Sequence, residues 1–122
     1  MIQKDYCGQN IEDLLAEVGF PIRDYQFCLQ GPGVLIREKV SLYEAQKWLR
    51  KEKTIIVEAN FNLMYKGQPR FSWRILYNLT QHKGAYYTFD SVYSKEDYDS
   101  PEEALSEGIK EAIKILKDEE AN

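Results

Sequence analysis

The chain has 122 residues, a net charge of −4 and 43% hydrophobic residues. That is enough for one globular domain burying roughly two-thirds of its unfolded surface without disulfides or metal. No apolar run approaches the roughly 18 residues of a membrane span, and MIQKDYCGQNIEDLL has no apolar signal core, so a cytoplasmic location is expected. Cys7 and Cys28 lack metal-ligand spacing, so reduced thiols, and neither metal nor cofactor, are expected.

Residues 1–40 read as a helix plus hairpin appended to the main unit, and with no long linker between them the two are expected to form one compact unit. Asn10 is placed to cap a helix with Ile11, Leu14, Leu15 and Val18 on one face. Gly19 suits the position after that helix, and Pro21 stops it. "YQFCL" and "VLI" then read as short strands around the turn signal "QGPG".

The second unit, 41–122, begins with "SLYE", a capping box in which Ser41 accepts from the Glu44 amide. Leu42, Ala45, Trp48 and Leu49 follow at helical spacing, and Lys47, Arg50, Lys51 and Lys53 crowd the far end, where cations suit the helix dipole. Three strands are expected next. "TIIVEANFNLMY" puts Ile55, Val57, Ala59, Phe61 and Leu63 on one face, and "RFSWRILYNL" does the same with Phe71, Trp73, Ile75, Tyr77 and Leu79. In "GAYYTFDSVY" the alternation is weaker, and Tyr87 and Phe89 are taken as the inward pair. The short connectors "KGQP" and "QHKG" predict an antiparallel meander. In "YDSPEEALSEGIKEAIKIL", Ser100 caps, Pro101 takes the first helical position and Glu103 completes a second capping box. Leu105, Ile109, Ala112, Ile113 and Leu116 form its apolar stripe. Gly108 inside it points to close approach on the sheet.

The expected fold is therefore α+β: an antiparallel three-stranded meander with two helices on one face (α-β-β-β-α), preceded by an N-terminal helix and β-hairpin. That order resembles the double-stranded RNA-binding domain over residues 41–118. "AQKWLRKEKTIIVEANF", "WRILYNL", the closing helix and the earlier "EVGFP" also resemble small helix–three-strand–helix proteins of gut-anaerobe genomes and their mobile elements, a group with no established activity to carry over.

Function has to be weighed from the residues. Duplex RNA binding needs cations at the start of the last helix, where this chain has Asp97, Asp99, Glu102 and Glu103, so it is disfavoured. His82 falls in a polar turn beside Lys83 outside any catalytic motif, and "GPG" at 31–33 is a turn rather than a phosphate loop. Charge is uneven: 41–84 carry eight Lys/Arg against three Asp/Glu, and 85–122 carry four against eleven. The polar phase of the strands sets Asn60, Asn62, Arg70, Arg74, Asn78, Tyr86 and Thr88 on the side away from the helices, with Glu58, Ile56, Leu76 and Val92. A protein-interaction or regulatory module using that face is favoured over a single-stranded nucleic-acid binder using Arg70, Arg74 and Tyr86, and an enzyme ranks third. At the sheet edges, sparsely guarded by charge, the hairpin is expected to pair on one side, leaving a monomer or a weak homodimer through the other.

Overall fold

A computed structural model describes residues 6–22, 24–27, 34–37, 39–84 and 86–120. In chain order the elements are α1 (Gln9–Glu17), β1 (Asp24–Phe27), β2 (Val34–Arg37), α2 (Leu42–Glu52), β3 (Ile56–Tyr65), β4 (Gln68–His82), β5 (Tyr86–Tyr93) and α3 (Pro101–Glu120). The class is α+β, with an antiparallel sheet ordered β3-β4-β5.

Local chemistry accounts for most of the boundaries. Ser41 and Ser100 cap α2 and α3, each hydroxyl accepting at 3.1 Å from the amide three residues on, Glu44 and Glu103. α1 starts two residues earlier than expected. Gly8 is its N-cap at φ 79, and Asn10 lies inside the helix. A glycine adopts that φ without strain, and this helix start has no side-chain cap. At the other end Gly19, φ 99, donates to the Ala16 carbonyl and Phe20 to that of Leu15, the paired bonds of a Schellman ending. Lys66 and Gly67 both take positive φ and make the two-residue turn joining β3 to β4.

The helices lie on one side of the sheet. α3 packs across β3 and β4, α2 sits against β3 and α3, and α1 sits against α3. Gly108 is the point of closest approach: a Cβ there would stand 2.8 Å from Val57 Cγ1 and 3.0 Å from Trp73 Cβ. The whole stripe of α3, Leu105, Ile109, Ala112, Ile113 and Leu116, is buried beside Val57, Trp73 and Ile75. Trp73 is 7% exposed, and Trp48 is half-buried with Phe20 edge-on at 5.2 Å.

Residues before Ser41 contribute to this same core. Cys7, Ile11, Leu15, Val18 and Val40 belong to one buried cluster with α2, α3 and the sheet. Buried Glu12 ties the entry to α2 by accepting from the Val40 amide at 2.9 Å, and the Cys7 amide donates to the Val40 carbonyl at 2.9 Å. The hairpin differs from expectation. β1 and β2 pair with each other as a separate two-stranded sheet and do not extend the main one. The expected turn and Cys28 lie outside the described residues.

Candidate partner-binding face

Strand register decides which side chains share the uncovered face. Val57 pairs with Ile75, and Ile75 with Val92, so Val92 belongs to the helix side and packs on the core. This corrects its expected place on the open face. Arg74 pairs with Tyr93 and Leu76 with Ser91, which sets Ser91, Tyr93 and, by alternation, Phe89 and Tyr87 on the open side. The inward pair expected of Tyr87 and Phe89 is therefore reversed. They are 55% and 51% exposed, and Tyr93 is 60% exposed.

Both phases of β5 carry aromatics, so its facing is set by pairing with β4, while two bulges shift the pattern on β3 and β4 themselves. Phe61 pairs with Phe71 but Leu63 with Arg70, which leaves Asn62 as an extra residue on β3. Tyr77 pairs with Asp90 but Thr80 with Thr88, so Asn78 and Leu79 together oppose Phe89. Asn78 adopts φ 54 there, a left-handed conformation that asparagine tolerates better than most residues. Each extra residue flips the phase of everything beyond it. From Asn60 onward β3 also outruns the helices, and Phe61, Leu63, Met64 and Tyr65 are exposed on a projecting β3–β4 arm.

The seven residues picked from sequence do not form one patch. Asn60 is exposed opposite Ser72, and Asn62 sits in the bulge. Arg70 donates from Nε to Asp97 Oδ1 at 2.9 Å and pairs with Asp99. Arg74 donates twice to Glu58 Oε2, at 3.0 and 2.6 Å. Hydrogen bonding to Glu58, then to Tyr93, raises the Arg74 guanidinium pKa above its ordinary value. Asn78 donates to Asp90 Oδ2 at 2.9 Å. Thr88 shares the register side of Val92 and meets His82 Nε2 at 2.9 Å. The Tyr86 side chain lies outside the described residues.

What the open face does assemble is Arg74 and Leu76 on β4 flanked by Tyr87, Phe89 and Tyr93 on β5. No protein-family model matches the chain, and no curated protein or solved structure does. The face must therefore be read from its own chemistry. It offers aromatic area on a rigid sheet, with both arginines already held by carboxylates. Among the described residues no group of three His, Cys, Asp or Glu side chains is placed to hold a metal ion, and no helix is long and apolar enough to cross a membrane. Cys7 is buried, and burial, with help from Glu12 and Glu44, pushes its thiol pKa up to about 12. A thiol so protonated is a poor nucleophile at neutral pH.

Proposed function

We propose that this protein is a small non-catalytic interaction module that holds a protein partner against the open face of its sheet. The observation that carries this reading is the row Tyr87, Phe89 and Tyr93, each more than half exposed on a paired strand. Tyrosine and phenylalanine fixed on a strand lose little entropy on contact and supply large areas to bury, the usual anchors of a protein interface. Arg70 and Arg74 are neutralised by Asp97, Asp99 and Glu58, so the face offers little free positive charge for phosphates.

Affinity capture from the native cell with the unaltered protein and with a Tyr87→Ser/Phe89→Ser double variant tests this. The double variant is expected to keep its far-UV circular dichroism and lose the captured protein. Capture of the same protein by both forms counts against the face.

A second reading, single-stranded nucleic-acid binding, is favoured by the same aromatics, which suit base stacking. Its test is a gel shift with mixed oligonucleotides across a salt series. Tight, salt-sensitive shifts would reverse the ranking. Duplex RNA is disfavoured further by Glu102 and Glu103 in the first turn of α3, where a phosphate would meet like charge.

A further inference from the structure

The outer edge of β5 borders a second feature, on the helix side of the sheet. There Trp73, Val92 and Tyr98 line a cleft of about 360 Å³, with Glu111 from α3 and Lys95 and Glu96 also on its walls. No strand pairs with the far side of β5 among the described residues. The Ser94 amide donates to the Trp73 carbonyl at 3.0 Å. By antiparallel alternation the backbone groups of Ser94, Val92 and Asp90 then face β4, and those of Tyr93 and Ser91 face outward. The strand reads YYTFDSVY, with one charge and neither lysine nor proline to guard the edge.

A free row of backbone donors and acceptors beside a strand–helix cleft is the arrangement that strand addition requires. We infer that β5 accepts an extended peptide segment of a partner protein, whose alternate side chains enter the cleft. One of those side chains is apolar, to rest on Trp73 and Val92, and the next on the same side is Lys or Arg, to meet Glu96 and Glu111. Charge selects this occupant over a second copy of the chain. Two β5 edges meeting about a two-fold axis would bring Glu96 and Glu111 of one copy toward those of the other, against one Lys95 on each wall. The inference rests on reading the protein as a partner-binding module, and it places one contact at the strand edge rather than on the open face.

The test uses the full chain and two fluorescein-labelled eight-residue peptides in which every second residue is alternately valine and lysine, or alternately valine and glutamate, with serine between, so that both kinds fall on one face of the strand. Fluorescence polarisation gives affinity, and amide chemical shifts give the site. The lysine peptide is expected to bind more tightly and to move the Ser91 and Tyr93 amides. Glu111→Lys should weaken it about fivefold, the scale of one partly exposed ion pair, and strengthen the glutamate peptide. Ser91→Pro removes an outward amide that β4 does not use, and should abolish strand addition. If that variant does not fold, the charge reversal at Glu111 carries the test alone. Equal affinity for the two peptides, or binding that survives Ser91→Pro in a folded protein, overturns the inference. Shifts confined to Tyr87 and Phe89 overturn it too, while leaving the open-face reading standing. Concentration-dependent self-association that moves β5 amides without peptide would make a second copy the occupant and sink the basic-peptide assignment.

Discussion

Gly108 shows at one position how helix and sheet constrain each other. Alanine would be the better helix former by about 1 kcal/mol, but its Cβ would press on Val57 and Trp73 at 2.8 and 3.0 Å. Both neighbours are buried, and Trp73 meets the added carbon with its own Cβ, so neither yields without moving the sheet. Overpacking of this kind costs about 1–3 kcal/mol. Gly108→Ala is expected to lower the urea midpoint, and an unchanged or higher midpoint would mean that α3 rides further from the sheet. Cys7 offers a second test. Its folded-state pKa of about 12 lies above the ordinary 9.0, so the unfolded chain releases this proton first as pH rises. The buried thiol therefore contributes fully below pH 9, and its contribution falls as pH climbs from about 9 toward 12. The stability difference between the protein and Cys7→Ala should shrink across that window, as measured by denaturant unfolding at several pH values.

At the scale of elements, α3 combines the two kinds of stabilisation most cleanly. Its start is held by the Ser100 cap, and its length by an apolar stripe whose centre, Ile109, has no solvent exposure. The two terms differ in size because one is a single hydrogen bond and the other a filled core site. Ser100→Ala should cost about 1 kcal/mol, and Ile109→Ala about 2–5 kcal/mol. Equal losses from the two in chemical denaturation would show that α3 is not docked as described. The sheet is less uniform along its length. Where α3 covers it the strands alternate buried and open positions, and past Asn62 the arm of β3 and β4 is exposed on both sides. The arm's backbone bonds hold it together with little core beneath, so its amides should exchange with solvent sooner than those of Val57 or Ile75.

Across the whole molecule Cys7, α1 and Val40 share one core with α2, α3 and the sheet. Ile11, Leu15 and Val18 close one side of the cluster containing Leu42, Leu49, Ile109 and Ile113, and Lys117 near the end of α3 pairs with Glu17 of α1. Removing 1–40 would uncover that side and strip the Val40 amide bond to Glu12 along with it. A fragment spanning 41–122 is expected to lose cooperative unfolding and near-ultraviolet dichroism. A fragment that melts in a single sharp transition would show that the meander and its two helices suffice.

The sequence determined what short-range chemistry controls. Ser41 and Ser100 announce their helices through side-chain-to-amide bonds three residues away, and Gly19 ends α1 because few other residues accept φ 99. The α3 stripe and the inward phase of Val57, Trp73 and Ile75 were equally legible, since burial on one side imposes its period directly on the residues. Tertiary structure alone decided three further matters. Bulges at Asn62 and Asn78 changed the phase of β3 and β4, and pairing with Ile75 rather than any local pattern turned Val92 inward and Tyr87 and Phe89 outward. Both phases of YYTFDSVY contain aromatics, so nothing within the strand could choose between them. Arg70 and Arg74 looked like free anchors until Asp97, Asp99 and Glu58 arrived from other strands and loops to hold them. The hairpin stayed off the main sheet as well. Which edges meet is a long-range outcome of how the elements pack, and a strand's own residues mark an edge as open without naming what will pair with it.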